Sequence, residues 1–333
     1  MKLPEKIELA KLPTKIEKLE RFTKYMDLPV ELYIKRDDET GIFETGNKIR
    51  KLEYVAAYAL KNGYDTLVTC GGTQSNHART TAYVATKMGM DSYLILKGKK
   101  PQVPDGNYLL DLLFGAEIKW ITQEEYNNNL KEIFTKVEEE LKKKNKRPLI
   151  IPEGASYTLG MFGYIEAAGE IKSQIRSMKV NMDYIVSSVG SGGTLAGFLV
   201  GQNLYSLDTK MYGINVCDNK EFFTKKILLL IEEFRHTYPE FKDFSYITRE
   251  DINIIDGYVG EGYGIPYKEE IEIIKKLARL EGIVLDPTYT GKAFYGMIEE
   301  IKKGTFGSDS KILFVHTGGI YGLFPQKEYF LGD

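Results

Sequence analysis

Short β-branched segments alternate with longer amphipathic segments along most of this chain, and this alternation constrains the fold more than any other feature. The predicted strands are Leu32–Ile34, Thr66–Thr69, Tyr93–Leu96, Ile118–Trp120, Leu149–Ile151, Tyr184–Ser187, Met211–Asn215, Ile252–Ile255 and Ile312–Val315. The helical patterns are 52–59, Ala78–Met88, Glu124–Lys144, Gly163–Ser177, Leu195–Leu204, Lys268–Glu281 and Lys292–Lys302. Such alternation predicts an α/β protein with mostly parallel sheets. Ligands of these sheets bind beyond the carboxyl ends of the strands.

The composition is that of a folded protein without a strong charge bias. Of 333 residues, 43% are apolar and 28% are charged, and the length predicts about two domains. A net charge of −2 gives no global attraction to nucleic acid or to an anionic membrane. The longest aliphatic run, Ile227–Ile231, is far shorter than the roughly 20 residues of a membrane span, and no signal peptide is visible. We therefore expect a soluble, cytoplasmic protein.

The cysteines and histidines indicate neither a disulfide framework nor a metal site. Cys70 and Cys217 stand far apart, and no histidine has a ligand partner at metal spacing. Cys70, at a strand end, is expected to be a small buried thiol rather than a nucleophile. His236 lies in a polar stretch and is expected at the surface, whereas His77 and His316 stand beside glycine-rich loops where a site can form.

The loop Gly190-Ser191-Gly192-Gly193-Thr194 directly follows the strand YIVSS and opens a helix near Leu195. Glycines allow a tight turn, and backbone N–H groups at a helix N-terminus favour an anion such as a phosphate monoester. No lysine follows the glycines, which excludes a P-loop, and Leu195 replaces the third glycine of the dinucleotide fingerprint. The alternative is a glycine-rich turn that binds nothing.

Two further segments have a structural and a functional interpretation. Ser75-Asn76 begins a helix after the loop CGGTQ, and both residue types are good N-caps. In the functional interpretation, Thr73, Gln74, Ser75 and Asn76 present backbone N–H groups and hydroxyls to a substrate carboxylate. Lys48 lies in GNKIRKLE, at the start of an amphipathic helix where a lysine is usually solvated.

Six motifs occur in order from about Lys35 to Gly319: KRDDETG…GNKIRKLE, LVTCGGTQSNHART, VGSGGTLAG, GEGYGIP, LDPTYTGKA and FVHTGG. Together they resemble the D-cysteine desulfhydrase and 1-aminocyclopropane-1-carboxylate (ACC) deaminase family of fold type II pyridoxal 5′-phosphate (PLP) enzymes. The resemblance implies a tryptophan synthase β-like fold, with two open, twisted, mostly parallel sheets flanked by helices. It also implies a large PLP domain from residues 1–51 and 163–333, and a small α/β domain from residues 52–162.

The family pattern implies roles for cofactor-binding residues. Lys48 corresponds to the lysine that holds PLP as a Schiff base, and Lys51, one turn later, to a residue that reaches the phosphate. Gly190 to Thr194 correspond to the phosphate cup, Asn76 to a partner of the ring hydroxyl, and Tyr289 to a stacking tyrosine. Because Lys48 must be neutral to attack, we expect burial and the neighbouring Lys51 to lower its pKa.

The same resemblance implies roles in catalysis and substrate binding. Lys48 is the expected base, with Ser75, Tyr289 or Tyr263 as a relay. The substrate is expected to contact Tyr263 and a segment of the second motif, namely Thr73, Gln74, Ser75, Asn76 and His77. Removal of the Cα proton and loss of a β-leaving group would yield a keto acid and ammonia.

The residue facing the ring nitrogen separates the two named activities. In ACC deaminases the residue after the stacking tyrosine is a glutamate, and here it is Thr290. A hydroxyl is a weaker proton source, which favours expulsion of a thiolate over opening of a cyclopropane. Either Thr290 or Thr317 is expected to contact the nitrogen. Thr45 and Tyr267 depart from the family pattern beside the expected substrate pocket, so the substrate stays open.

The leading hypothesis is PLP-dependent α,β-elimination that converts D-cysteine to pyruvate, hydrogen sulfide and ammonia. The enzymatic alternatives are ACC deamination and elimination from a related substrate such as L-cysteate. Two hypotheses come from other classes, namely a non-catalytic binding protein for an amino acid or a phosphate-bearing metabolite, and a nucleotide-binding enzyme that uses the loop 190–194. The family resemblance further implies a homodimer, although no interface is legible in the sequence.

Overall fold

The computed structural model describes residues 2–331, in which ten strands form two sheets. The strands are β1 Ile16–Lys18, β2 Glu31–Lys35, β3 Thr66–Gly72, β4 Asp91–Lys97, β5 Glu117–Ile121, β6 Pro148–Ile150, β7 Tyr184–Val189, β8 Lys210–Asn215, β9 Asn253–Ile255 and β10 Lys311–Val315. The α-helices are α1 Glu20–Tyr25, α2 Asn47–Lys61, α3 Asn76–Lys87, α4 Gly106–Leu113, α5 Gln123–Lys143, α6 Thr158–Met178, α7 Gly193–Leu204, α8 Lys220–Thr237, α9 Lys268–Glu281, α10 Thr290–Lys302, α11 Ile320–Leu323 and α12 Glu328–Leu331.

Both sheets are mostly parallel, which confirms the predicted fold class. The larger sheet has the order β1-β2-β10-β7-β8-β9, and only the edge pair β1–β2 is antiparallel. The smaller sheet has the order β5-β4-β3-β6 and is entirely parallel. The central strands β3 and β10 are almost completely buried, as expected for parallel strands covered by helices on both faces.

The two helices α6 and α7 form the centre of the largest core cluster. They approach closely because α7 carries glycines at the contact. A Cβ atom on Gly197 would stand 2.6 Å from the Met161 carbonyl oxygen, and one on Gly201 would stand 2.8 Å from that of Ile165. This contact fixes the start of α7, and therefore the loop 190–194 that precedes it.

The sequence-based description missed several elements. These are the short antiparallel strand β1 and the helices α1, α4, α8, α11 and α12. Helix α6 also begins at Thr158 rather than at Gly163, because burial of its first turn overrides the low helix propensity of glycine. His236 lies near the end of α8 and is exposed, as predicted.

Strands β3 to β6 form the smaller sheet, and all other strands belong to the larger one. The division into domains at 51/52 and 162/163 stays a prediction, because both positions fall inside continuous helices, α2 and α6. Among residues 2–331, no helix combines the length and apolar character needed to cross a membrane.

Candidate active site

A cavity of about 790 Å³ lies at the carboxyl ends of strands from both sheets. Its wall includes Gly72 at the end of β3, Lys97 at the end of β4, Val189 at the end of β7 and Thr317 just after β10. This is where ligands bind in open α/β sheets. The fold therefore brings together segments that are up to 271 residues apart in sequence, from Asn47 to Gly318.

Lys48 is the second residue of α2, and its half-buried side chain lines the cavity. Its Nζ donates to Asn47 Oδ1 at 2.8 Å, and Asn47 Nδ2 donates to Thr194 Oγ1 at 3.1 Å. Desolvation, followed by the positive charge of Arg79, lowers the pKa of Lys48 from 10.5 to about 8. The amine is thus poised to act as a nucleophile or base near neutral pH.

The prediction that the pKa of Lys48 is lowered is correct, but the residue expected to lower it, Lys51, is wrong. Arg79, on α3, supplies the opposing positive charge, whereas Lys51 does not contribute. Burial lowers the pKa of Lys51 itself well below its ordinary value, and Lys48 adds to this lowering.

The loop 190–194 forms a cradle at the start of α7. Gly192 has φ of +88°, a left-handed conformation that favours glycine, and a Cβ atom on Gly190 would stand 3.1 Å from the Tyr289 ring. The Ser156 hydroxyl donates to Ser191 Oγ at 2.7 Å and accepts the Gly193 N–H at 3.3 Å. The first N–H groups of a helix lack intrahelical acceptors, so this cradle suits an anion.

Lys51 stands behind this cradle rather than in the cavity wall. Its Nζ donates to the Gly154 carbonyl oxygen at 3.2 Å and lies 3.5 Å from Ser156 Oγ. Because Ser156 in turn contacts Ser191, the lysine is one side chain removed from the loop. An anion in the loop would stabilise the protonated form of this amine and raise its pKa again.

Ser75 caps the start of α3, in agreement with its structural interpretation, and also lines the cavity. Its Oγ accepts the Ala78 N–H at 3.1 Å, and a Cβ atom on Gly71 would come within 2.4 Å of that oxygen. Gly71 therefore allows the capping turn to pack against β3. Asn76 lies in the cavity wall, with its Oδ1 accepting from Asn107 Nδ2 at 3.0 Å.

The other residues of this segment are oriented differently. Thr73 and Gln74 do not line the cavity. The Thr73 hydroxyl is directed to the Lys97 carbonyl oxygen at 3.4 Å, and Gln74 bonds the Asp105 carbonyl oxygen and the Asn107 N–H. His77 is in the wall, but burial and the nearby lysines lower its pKa well below 6.5, so the ring is neutral.

Tyr263 and Tyr289 meet over the cavity through their hydroxyl groups, with ring centroids 5.7 Å apart. Burial raises the pKa of both phenols, which are therefore neutral donors at physiological pH. The loop that carries Tyr263 is held by Lys292, whose Nζ donates to the carbonyl oxygens of Val259 at 2.6 Å and Gly262 at 2.7 Å.

Thr290 and Thr317 differ in their access to the cavity. Thr317 lines it, with its hydroxyl 3.3 Å from that of Ser188. Thr290 is fully buried outside it and donates to Asp286 Oδ1 at 2.7 Å. Asp286 also accepts the N–H groups of Thr288, Tyr289 and Thr290, each at 2.9 Å, so its role is to fix the turn that places Tyr289.

The thiols do not supply a nucleophile. Burial raises the pKa of Cys70 and of Cys217 to about 12, and Cys217 Sγ donates to the Gly190 carbonyl oxygen at 3.5 Å. Within the described part of the chain, no group of three His, Cys, Asp or Glu side chains is placed to hold a metal ion.

Sequence reasoning missed several cavity residues, including Lys97, Tyr126 and Glu153. Lys97 ends β4, and Glu153 follows β6 by three residues. Their position just after parallel strands was a usable signal, because such positions face the ligand side of the sheet. Ser156, whose hydroxyl donates to Ser191, also follows β6 and was missed although the same signal applied to it.

These residues fit PLP. The glycine cradle offers backbone N–H groups to a phosphate, Lys48 offers an amine with a lowered pKa to an aldehyde, and the Tyr289 ring lies against the same loop. The fold and the site thus define a PLP-dependent enzyme of the α/β class. The family described as pyridoxal-phosphate dependent enzyme matches residues 7–318, and the chain belongs to that family.

Individual relatives agree with the resemblance seen in the motifs. A putative ACC deaminase from Thermotoga maritima is 42% identical over 97% of this chain and 98% of its own length. A mitochondrial bifunctional D-cysteine desulfhydrase/ACC deaminase from Arabidopsis thaliana is 40% identical over 96% of this chain and 79% of its own.

Solved structures confirm the fold. The crystal structure of an ACC deaminase homologue superposes with a TM-score of 0.86 at 38% identity, covering 98% of this chain and 95% of that one. The structure of O-ureido-L-serine synthase, at 16% identity and a TM-score of 0.67, shares the fold. It covers 92% of this chain and 90% of its own.

Proposed function

We propose that this enzyme eliminates a β-leaving group from a small amino acid, with D-cysteine as the first substrate to test. The observation that carries the proposal is the Thr317 hydroxyl in the cavity wall, 3.3 Å from that of Ser188, because Thr317 is one of the two threonines that the motif comparison assigns to the ring nitrogen. A hydroxyl holds a ring proton less firmly than a carboxylate does. The site is therefore suited to a leaving group such as thiolate, which needs less assistance.

The residues divide the binding of the cofactor among them. Lys48 would hold the aldehyde carbon. The loop Gly190 to Thr194 would bind the phosphate, with Lys51 behind it, and Asn76 would contact the ring hydroxyl. Tyr289 would lie against the ring and Thr317 at its nitrogen. When bound, PLP supplies the electron sink that stabilises negative charge at Cα. The protein supplies placement, proton transfer and exclusion of water.

Proton transfer involves three side chains in the cavity. Lys48, with its pKa near 8, would remove the Cα proton once the substrate has displaced it from the cofactor. Tyr263 and Tyr289 are protonated and would donate hydrogen bonds to the departing sulfur, which takes up the proton that Lys48 removed from Cα. Ser75 uses an oxygen lone pair for the helix cap, which leaves its O–H for the substrate carboxylate.

The overall reaction consumes one water for each D-cysteine and releases pyruvate, ammonia and hydrogen sulfide. The Cβ–S bond breaks, and the sulfur leaves with the bonding electron pair and takes up a proton. Water then replaces the nitrogen at the former Cα. No external oxidant or reductant is required.

ACC deamination is the second candidate, because the Thermotoga relative and three further relatives from Pyrococcus species carry that name at 40–42% identity. L-cysteate is a related elimination substrate. A single comparison of kcat/KM separates these functions, using PLP-loaded enzyme with D-cysteine, L-cysteine, L-cysteate and ACC.

We expect sulfide and pyruvate from D-cysteine at the highest kcat/KM. Absence of pyruvate from D-cysteine with fully loaded enzyme would overturn this assignment. Release of 2-oxobutyrate from ACC at a higher kcat/KM would establish the second candidate instead. A Lys48→Ala variant, treated in the same way, provides the background rate of free PLP.

A further inference from the structure

One part of the cavity carries charges that the proposed elimination does not use. We call it the distal compartment, and its residues are Lys97, Gln123, Tyr126, Asn127 and Glu153. Lys97 ends β4 and Glu153 follows β6, and these strands lie on either side of β3 in the smaller sheet. The compartment is therefore a direct product of the sheet order.

Lys97 provides an unpaired positive charge. Its half-buried side chain places Nζ 4.3 Å from the centroid of the Tyr126 ring and 5.4 Å from that of Tyr263. Within residues 2–331, no carboxylate oxygen lies within 4.0 Å of this Nζ. Two aromatic faces stabilise an ammonium but do not neutralise it, so the charge acts on the cavity.

Glu153 provides the opposite charge at the hydroxyl of the same tyrosine. Its Oε1 accepts the Tyr126 hydroxyl at 2.7 Å, and it forms no salt bridge within the described part of the chain. Burial, followed by Cys70 and Glu153, raises the pKa of Tyr126, so this side chain stays neutral. Tyr126 thus contacts both charged groups, Lys97 through its ring and Glu153 through its hydroxyl, and the two groups form no salt bridge with each other.

An unpaired cation and an unpaired anion in one cavity are complementary to a ligand that carries both charges. Tyr263 connects this compartment to the reacting centre, because it faces Lys97 on one side and contacts Tyr289 on the other. The cavity volume of about 790 Å³ is in the upper part of the range for ligand sites, about 300–1,000 Å³.

We infer that the distal compartment recognises a departing group that carries an ammonium and a carboxylate, so that the preferred substrates are thioethers joining two amino acids. This inference rests on the elimination proposed above and specifies its substrate class. The Cβ–S bond on the side of Lys48 breaks, and the sulfur keeps the electron pair and takes a proton. The products are an amino-acid thiol, pyruvate and ammonia, with one water consumed.

The test compares thioethers that differ only in distal charge. meso-Lanthionine carries both distal charges and presents an α-carbon of either configuration, so the stereochemical preference of the enzyme does not matter. Racemic S-carboxymethyl-, S-(2-aminoethyl)- and S-methylcysteine carry the acid, the amine and no charge, respectively. Racemic β-chloroalanine measures elimination without a distal group. Pyruvate release gives kcat/KM for each compound, and calorimetric titration gives Kd for meso-lanthionine.

The matched variants are Lys97→Met and Glu153→Gln, which remove one charge each. Lys119→Met and Glu132→Gln are the controls, because these residues lie on β5 and α5 outside the cavity wall. Each variant is judged by the ratio of its kcat/KM for meso-lanthionine to its kcat/KM for β-chloroalanine. This ratio corrects for differences in folding and PLP content.

We expect the parent to prefer meso-lanthionine over S-methylcysteine by about tenfold or more, and each cavity variant to lower the ratio by about tenfold. Lys97→Met should also weaken meso-lanthionine binding, whereas the controls should leave both quantities unchanged. Turnover of β-chloroalanine without any preference for meso-lanthionine would overturn the inference while leaving the proposed function intact. Lanthionine binding that depends on Lys97, without turnover of any compound, would instead overturn the proposed function.

Discussion

Replacing Lys48 by methionine removes an amine whose protonation the folded protein opposes. The pKa of Lys48 falls from 10.5 to about 8 on folding, through desolvation and the charge of Arg79. At about 1.4 kcal/mol per pH unit, this difference costs the cofactor-free protein up to about 3 kcal/mol at neutral pH. Because the Lys48 side chain is only half-buried, solvent screening makes this figure an upper value.

The sign follows from proton binding. Between pH 8 and 10.5, the unfolded chain holds a proton on Lys48 that the folded protein has released. The free energy of unfolding therefore rises with pH over this window, and the cost disappears above pH 10.5. Lys48→Met lacks the cost at every pH. The variant should be more stable than the cofactor-free parent at pH 7, and this advantage should shrink by about 2 to 3 kcal/mol by pH 10.5.

Urea denaturation of both cofactor-free proteins at pH 7, 8, 9 and 10.5 measures this difference. All other titrating groups are common to the two proteins, so the comparison isolates Lys48. Lys119→Met, which removes a lysine outside the cavity, controls for loss of a positive charge. A stability difference between Lys48→Met and the parent that does not change with pH would refute the lowered pKa.

Further predictions concern three positions around the site. Gly192→Ala should raise the Kd for PLP by about tenfold, because alanine is strained at φ of +88° and its Cβ would stand 3.3 Å from Ile227. Absorbance titration of the cofactor-free enzyme with PLP measures this Kd, and an unchanged value would contradict the prediction. Asp286→Ala should lower the free energy of unfolding by about 2 to 4 kcal/mol, because three backbone N–H groups lose their acceptor. A loss below about 0.5 kcal/mol in urea denaturation would contradict the role of Asp286 in fixing this turn. Cys70→Ala should retain turnover, since burial keeps the thiol protonated, and loss of pyruvate release with PLP still bound would contradict this prediction.

The parts of the site that are local in sequence could be predicted from the sequence. The loop Gly190 to Thr194 has a strand before it and a helix after it, so its chemistry follows from residue types alone. The cap at Ser75 is predictable for the same reason. In both cases the interacting groups lie within a few residues of one another.

Contacts between distant segments were beyond such reasoning. Arg79, rather than Lys51, opposes the proton on Lys48, because α2 packs against α3. Lys97 and Glu153 contact the same tyrosine, although they follow strands that lie on opposite sides of β3. Helix α8 was missed although Asn219 caps it, since its long aliphatic run obscured the amphipathic period.

The difference between Thr290 and Thr317 shows how tertiary structure decides between equivalent residue types. Both are buried threonines near the cavity, and the motif comparison pointed to either one. Asp286 accepts the Thr290 hydroxyl at the start of α10, whereas the Thr317 hydroxyl lies in the cavity wall beside that of Ser188. The hydrogen bonds that each hydroxyl makes, rather than the position in the motif, distinguish the two threonines.

Borohydride reduction of the PLP-loaded enzyme, followed by peptide mass spectrometry, tests the central claim most directly. We expect a pyridoxyl group on Lys48 in the parent and none in Lys48→Ala. A pyridoxyl group on Lys51 or Lys292 in the parent, or equal labelling in Lys48→Ala, would contradict it.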